Sequence, residues 1–360
     1  MVLMSPFLQF VIRRFLTIPA SLFMITLVLY GGVMLTPPEA RAQLYMPENL
    51  PPHISEKQIK KIQEKYIEYY HLRDPFPVQY YYWVKSLLDG TWGYSPSLND
   101  YVLPSLLRRT PATLELALYS LLVLIPLGLV TGVAAGWRRG GMYDRGFRGL
   151  AFLSTSIPPF ILAIVFLSIF YINLNWFAPG RIDMSYRFEI TDGSFRSYTG
   201  MLTIDSLLNG RTDIFENSLR HLAMPVITLA IYHWATLARV TRISMIGEEK
   251  KEYVVAAKAR GLAERQVVWK HIFHNTLSPS LTSMALAATS IITGVFVVEI
   301  IYNINGVSDV IVAAMTGIAD AAAALGFAMY SVIMVLLLMF LLDVLQAVFD
   351  PRVREGILKT

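Results

Sequence analysis

Residues 112–135 read ATLELALYSLLVLIPLGLVTGVAA, a run of 24 positions in which Glu115 is the single charged residue. A helix needs about 20 apolar residues to cross the hydrocarbon core of a bilayer. Because lipid offers the backbone no hydrogen-bond partners, such a run must satisfy its own N–H and C=O groups as a helix. This stretch therefore predicts a membrane-spanning helix.

Stretches of the same kind occur on both sides of this run. They are Phe15–Leu35, Leu150–Tyr171, Leu222–Ala238, Thr276–Val298 and Leu325–Leu342. The chain is 54% hydrophobic and 16% charged, whereas soluble domains have about 25% charged residues. The sequence thus predicts an all-α polytopic membrane protein with six transmembrane helices. Arg13 and Arg14 before the first stretch also fit a signal peptide, but its 21 apolar positions exceed the usual roughly 7–15. A retained helix is expected.

The connecting segments differ in charge. The 136–148 segment carries four arginines against one acid, and the 239–274 segment carries eight basic residues against four glutamates. Residues 36–107 and 174–219 contain more acids than bases. Because Lys and Arg accumulate in cytoplasmic loops, both termini are predicted to be cytoplasmic.

The predicted organisation has four parts. They are a first helix in 1–35, an extracytoplasmic domain in 36–107, a core of five transmembrane helices in 108–349 with a cytoplasmic loop at 239–275, and a cytoplasmic tail at 350–360. Within the extracytoplasmic domain, Ile54–Tyr70 has the pattern of an amphipathic helix with Ser55 as N-cap. The aromatic cluster Tyr80–Trp83 is expected at the membrane interface.

The most informative stretch is polar: residues 252–262 read EYVVAAKARGL. Its alanines predict a short helix, and Gly261 suits the left-handed residue that ends one. Tyr253, Ala256, Ala257 and Arg260 would share one face. That small-residue face is consistent either with docking against another protein or with a solvated loop helix.

This stretch resembles the "EAA" loop of ABC importer permeases. The matching positions are Glu252, Tyr253, Ala256, Ala257, Ala259, Gly261, Leu262, His271, Asn275 and Pro279. In that family the loop is a coupling helix that docks on a cytoplasmic ATPase. The resemblance implies an ATPase-coupling role for the first seven of these residues.

Other stretches resemble the dipeptide/oligopeptide/nickel permeases. They include Ile12–Arg14, Asp74–Tyr80, Pro111–Leu116, Ser156–Phe160, Pro225 and Asp350–Arg354. The resemblance implies a type I ABC importer permease fold in a prokaryotic plasma (inner) membrane, and a role as half of a translocation path for short peptides. Oligosaccharide or nickel remain alternative cargoes. The implied partners are a second homologous permease, two ATPase subunits that hold ATP and Mg, and an extracytoplasmic solute-binding protein.

Two segments depart from the family pattern. Asn305-Gly306-Val307-Ser308 stands where the family has a Pro-Gly-x-Gly turn, and Ile182–Gly210 resembles an insert. Both are predicted on the extracytoplasmic face. They therefore leave open how the binding protein is contacted and which cargo is carried.

Several residues in or near the spans allow two interpretations. Glu299 either faces the translocation path or makes a structural hydrogen bond, because a charge in lipid needs a partner. The pair Pro158-Pro159 is expected to kink the third span, with cargo contact by Pro158 as the alternative. Glu115 and Asp343 near helix ends are expected to be structural, and His233 is expected to be a packed interhelical donor rather than a proton relay.

Several classes of function lack support in the sequence. There is no phosphate-binding loop of the G-x-x-x-x-G-K-[ST] type and no hydrolase or metalloprotease motif. There is no cysteine. We therefore expect no catalytic site, no metal and no cofactor on this chain, and no nucleic-acid partner. An ion-coupled secondary transporter, the alternative class, would show inverted repeats and buried ionisable clusters, and neither is recognisable.

Overall fold

The computed structural model describes residues 6–42, 45, 55–193, 195–316 and 320–349. In these ranges the chain is almost entirely helical. The helices are α1 (Pro6–Val33), α2 (Pro38–Ala42), α3 (Glu56–Tyr69), α4 (Phe76–Leu88), α5 (Val102–Trp137), α6 (Met142–Ser156), α7 (Pro159–Phe166), α8 (Met184–Thr191), α9 (Leu202–Leu208), α10 (Thr212–Glu249), α11 (Glu252–Ala259), α12 (Glu264–Gln266), α13 (Phe273–Tyr302), α14 (Ser308–Met315) and α15 (Ala321–Phe349). Two π-helical segments, Leu167–Asn173 and Val267–Ile272, follow α7 and α12, and the strands β1 (Tyr94–Ser95) and β2 (Asp100–Tyr101) form a hairpin. The predicted closing motif Asp350–Arg354 and the tail lie outside the described residues.

Five of the six predicted spans correspond to single long helices. α1, α5, α10, α13 and α15 are each long and apolar enough to cross a membrane. Most extend well beyond the apolar stretch that predicted them. The additional turns are polar, as at the C-terminal end of α10, and hydropathy alone does not detect them. The all-α membrane fold is confirmed.

The third predicted span, Leu150–Tyr171, is wrong as one continuous helix. α6 and the helix that starts at Pro159 meet at an angle of 99°. Ile157 is extended (φ −105°, ψ 116°) and Pro158 has ψ 145°. Neither proline has an N–H to donate, and each disfavours the helical conformation of the residue before it. The predicted kink at Pro158-Pro159 is therefore confirmed, and it is large enough to break the helix.

The contacts divide the chain into two compact units. The unit formed by residues 11–111 and 305–337 contains α2–α4, the hairpin and α14. Tyr30 of α1 stacks on Trp83 of α4, with the ring centroids 4.9 Å apart. α3 matches the predicted amphipathic helix and has Ser55 as N-cap. Its Gln58 Oε1 accepts a hydrogen bond from Ser55 N at 3.1 Å, which satisfies a backbone donor at the helix start.

In the other unit, which contains residues 112–304, α10 is the central helix. It packs most extensively against α13, and also against α6, α7 and α9. α5 approaches it through a stripe of three glycines, Gly128, Gly132 and Gly136. A Cβ atom added at Gly132 would lie 2.6 Å from the backbone oxygen of Ala238. Helices in lipid associate through such close approach, because there is no hydrophobic gain from helix contact in an apolar solvent.

The atypical segment 182–210 is held to α5 by a buried ion pair. Arg181 Nη2 donates to Glu115 Oε2 at 2.7 Å, and Thr203 donates to Glu115 Oε1 through both its backbone N (2.7 Å) and its Oγ1 (2.6 Å). Three donors thus neutralise and satisfy a carboxylate that burial would otherwise make costly. The structural role predicted for Glu115 follows from these bonds.

We expect Gly132→Ala to destabilise the protein, although alanine normally favours a helix over glycine. The added methyl group meets the α10 backbone and forces the two helices apart, at a cost of about 1–3 kcal/mol for overpacking. The measurement is thermal unfolding of the purified chain in detergent. The matched control is Gly31→Ala, whose Cβ would have no neighbour within 4 Å. Equal unfolding temperatures for the two variants would contradict the glycine contact.

Candidate functional site

The segment between α10 and α13 forms a short helix on a packed base. α10 ends at Glu249, α11 begins at Glu252 after the N-cap Lys251, and the chain turns again at Gly261. Gly261 has φ +74°, as the sequence predicts. That left-handed conformation carries no steric cost for glycine, so it ends α11 and directs the chain into α12 and the π-helical segment.

One face of α11 is buried against the chain's own helices. Val254 and Ala257 are 0% and 5% exposed and share a hydrophobic cluster with Val133, Met245 and Val267. This corrects the predicted grouping of Ala257 with Ala256 on a face open to a partner. Met245 and Val133 lie on other helices, so the spacing of residues within the 252–262 segment could not show that Ala257 packs against them.

Tyr253 also faces this base. Its hydroxyl donates a hydrogen bond to Glu248 Oε2 at 2.7 Å. Burial raises the pKa of the Tyr253 phenol, and the hydrogen bond to the Glu248 carboxylate raises this pKa further. Tyr253 therefore stays protonated at neutral pH and links α11 to the end of α10.

The opposite face of α11 is exposed and, apart from Glu252, has small or short side chains. It consists of Glu252, Val255, Ala256 and Ala259, which are all exposed and follow the i, i+3, i+4, i+7 spacing of one helix face. Val255 is 60% exposed and is the largest apolar side chain of this face. An exposed apolar surface rimmed by charge is a feature of protein-binding sites. Of the predicted coupling residues, Glu252, Ala256, Ala259, Gly261 and Leu262 remain accessible.

A buried ion pair joins the first turn of α6 to α10. Arg242 donates to both carboxylate oxygens of Asp144, from Nε at 2.6 Å and from Nη2 at 2.9 Å. The backbone N of Gly140 adds a third bond to the carboxylate at 3.0 Å. Such two-pronged pairs fix orientation as well as distance. From the sequence, Asp144 and Arg242 are only charges of two separate connecting segments. Their pairing could not be predicted, because 98 positions separate them.

A groove of about 800 Å³ opens between α7, α10 and α13. It is within the size range of about 300–1,000 Å³ typical of ligand pockets. Its lining residues are Thr155, Pro159, Phe160, Tyr232, His233, Thr236, Val240, Pro279, Thr282, Ser283, Leu286, Ala287, Ser290, Thr293, Gly294 and Val297. Nine of them, from Pro279 to Val297, follow one face of α13.

The groove lining is uncharged and more apolar than polar. None of the described residues that line it is Asp, Glu, Lys or Arg, and hydroxyl groups such as those of Ser290 and Thr293 supply the polarity. Pro158 is exposed directly before the lining residue Pro159. Glu299 is fully buried and is not among the lining residues. His233 lines the groove beside Tyr232, with the ring centroids 5.0 Å apart.

The described part of the chain contains no cluster of three or more His, Asp or Glu side chains that could hold a metal ion. The site therefore consists of the exposed face of α11, the Asp144–Arg242 ion pair and an uncharged groove.

Comparison with known proteins gives one consistent result. Residues 125–355 match the family model of the binding-protein-dependent transport system inner membrane component. The chain is 28% identical to the di/tripeptide transport system permease protein DppB of Pseudomonas aeruginosa, over 97% of this chain and 99% of the relative. It is 27% identical to the oligopeptide transport system permease protein OppB of Salmonella typhimurium, over 96% and 99%. It is 31% identical to the probable D,D-dipeptide transport system permease protein DdpB of Escherichia coli, over 79% and 82%.

In ABC importers, permeases of this family are non-catalytic, a separate ATPase subunit hydrolyses ATP, and a substrate-binding protein completes the system. The multiple apolar helices, the α10–α13 core and the family match agree on a multi-pass membrane subunit. The chain belongs to the binding-protein-dependent transport system inner membrane component family and is an ABC importer permease.

Proposed function

We propose that this permease forms half of a path that imports short peptides. The observation that carries the proposal is that relatives aligned over 96–97% of the chain are named as di/tripeptide and oligopeptide permeases. The uncharged groove is consistent with such cargo. Peptides differ widely in side-chain charge, and a fixed charge in a low-dielectric path would favour one sign over the other.

The groove is the proposed lining of that path. Its α13 face carries Ser290, Thr293 and Gly294 in a row and is open in the single chain. A second homologous permease, facing the first, would close it. Pro158 lies beside this path, whereas a role for Glu299 would act through the packing of α13, because its side chain is buried.

The exposed face of α11 is the proposed ATPase contact, with the two ATPase subunits holding ATP and Mg. Its inner face is fixed in a packed cluster with Val133 and Met245. Close-packed interiors transmit displacement rather than absorb it. A push on Ala256 would therefore move α10 and, through the Arg242–Asp144 pair, α6 as well. Such a link lets ATP binding bias one of two access states.

The termini and the α11 loop are proposed to be cytoplasmic, with residues 36–107 and 174–219 outside, on the basis of the loop charges. The chain has no cysteine, so single cysteines can be labelled without background. An impermeant thiol reagent on intact cells should modify Ser55→Cys and Ser185→Cys but not Arg139→Cys, all at exposed positions. Arg139→Cys should react after the membrane is permeabilised. Labelling at 139 with protection at 55 in intact cells would reverse the topology.

The two faces of α11 predict opposite phenotypes for neighbouring alanines. Ala256→Trp should leave the unfolding temperature near that of the wild type but reduce ATPase co-purification and abolish uptake, because the bulky ring fills the docking face. Ala257→Trp should lower the stability of the permease itself, by about 1–3 kcal/mol for an overpacked core. Unfolding of the purified chain and ATPase co-purification are measured on the same preparations.

Ala256→Ser is the matched control, since it keeps the small volume and should retain ATPase binding and uptake. Wild-type uptake by Ala256→Trp would exclude the exposed face of α11 as the ATPase contact. A stable Ala257→Trp chain that fails only in ATPase binding would restore the face predicted from the sequence.

The peptide assignment is tested by ATP-dependent uptake into vesicles that contain the complete transporter and its binding protein. Labelled acidic, neutral and basic dipeptides should all enter, and a maltooligosaccharide or nickel should not compete. Ser290→Asp should selectively slow acidic dipeptides, because it adds a negative charge to the groove, while the near-isosteric Ser290→Asn should not. Competition by the oligosaccharide or nickel, with no dipeptide uptake, would replace the peptide assignment. Uniform slowing of all dipeptides by Ser290→Asp would place the path elsewhere.

A further inference from the structure

The start of α6 and the loop before it form a cationic surface. Four arginines, Arg138, Arg139, Arg145 and Arg148, lie within 11 positions, and all are exposed. The guanidinium of Arg138 stands over the ring of Tyr143 at 5.7 Å from its centroid. We call these four residues the arginine cluster.

The chain leaves this positive charge largely uncompensated. Asp144 is the single acid in the 136–148 segment. Its carboxylate is buried and is already paired with Arg242 through two hydrogen bonds. Arg148 approaches Asp144 only at 3.8 Å and remains 58% exposed. Within the described ranges, Arg138, Arg139 and Arg145 have no carboxylate within 4 Å. The cluster therefore presents a net charge to an outside partner.

The second half of α6 has a different exposed surface. Leu150, Phe152 and Leu153 are 60%, 68% and 55% exposed. A different face of α6 packs against the protein. There, Phe147 contacts Trp234 of α10 edge-to-face, with 5.7 Å between the ring centroids. Exposed guanidinium groups at one end and exposed apolar side chains at the other match the two layers of a membrane interface.

We infer that the arginine cluster and the apolar half of α6 form a binding surface for anionic phospholipid. The guanidinium groups pair with phosphate headgroups, with the planar geometry that favours such contacts, and Leu150, Phe152 and Leu153 lie among the acyl chains. Lys and Arg near an anionic bilayer surface each contribute attraction that decays within a Debye length. A contact with the ATPase subunits would explain the charge but not the exposed leucines and phenylalanine one turn further along.

The consequence for the permease lies in the position of α6. Arg242 clamps the start of this helix to α10, and the helix ends at the break before Pro158, beside the groove. Lipid bound to the arginine cluster therefore holds the element that links α10 to the groove-lining residues Pro159 and Phe160.

The experiment uses the full chain reconstituted in bilayers of phosphatidylcholine with spin-labelled phosphatidylglycerol or spin-labelled phosphatidylcholine. The motionally restricted fraction of each labelled lipid gives its relative association with the protein. The wild type should prefer phosphatidylglycerol, and high salt should weaken that preference. Replacing all four residues of the arginine cluster by glutamine should lower the preference by at least about tenfold, because each arginine near an anionic bilayer surface contributes a several-fold attraction.

Two control variants distinguish specific lipid binding by the arginine cluster from a general effect of charge and from misfolding. Replacing Lys57, Lys60, Lys61 and Lys65 on α3 by glutamine removes the same charge from another exposed surface and should leave the preference unchanged. The Arg→Lys version of the cluster keeps the positive charge that supplies the attraction and should retain most of the preference, losing only the part that depends on the planar guanidinium. An equal loss in the α3 control would overturn the inference. So would a glutamine variant that keeps its lipid preference but no longer co-purifies with the ATPase, since the cluster would then be a protein contact.

Discussion

The close contact between α5 and α10 is the constraint on which the rest of this molecule depends. In lipid, apolar side chains gain nothing by leaving the solvent, so helices hold together where their backbones can approach. Gly128, Gly132 and Gly136 allow that approach along three successive turns. The other elements of this unit that form the candidate site contact α10. α13 packs along it, its residue Arg242 binds Asp144 of α6, and its residue Met245 packs against α11.

Because one face of α11 is packed and the other is exposed, a movement of α11 would also move the helices beneath it. A helix that was solvated all round would move in response to an ATPase without displacing the membrane helices. Val254 and Ala257 instead lie in a packed cluster, and Tyr253 is bonded to Glu248. Displacement of the outer face is therefore passed to α10, because a packed interior has no free volume to absorb it.

Charged side chains are concentrated before and at the start of α6 and are absent from the described lining of the groove. The groove is lined by apolar and hydroxyl-bearing side chains without formal charge, whereas the start of α6 and the loop before it carry four exposed arginines. The break at Ile157 and Pro158 separates these two environments within 20 residues. Because the chain turns sharply here, the arginine cluster and the lining of the uncharged groove belong to two differently oriented segments.

The sequence alone determined which segments enter the membrane, because about 20 apolar residues have no other stable environment than lipid or a core. It also determined the helix end at Gly261 and the presence of a kink at Pro158, though not its size, since backbone conformation at glycine and proline is a local property. The family was recognisable from residue types at fixed spacing in the 252–279 segment.

Tertiary structure alone decided which face of α11 is free. Ala256 and Ala257 are chemically identical neighbours, and only the cluster formed by Val133, Met245 and Val267 distinguishes them. The same holds for the Asp144–Arg242 pair, the groove lining and the buried position of Glu299, all of which depend on helices far apart in the chain. Burial and pairing are properties of the packed assembly of helices, and local spacing does not contain them.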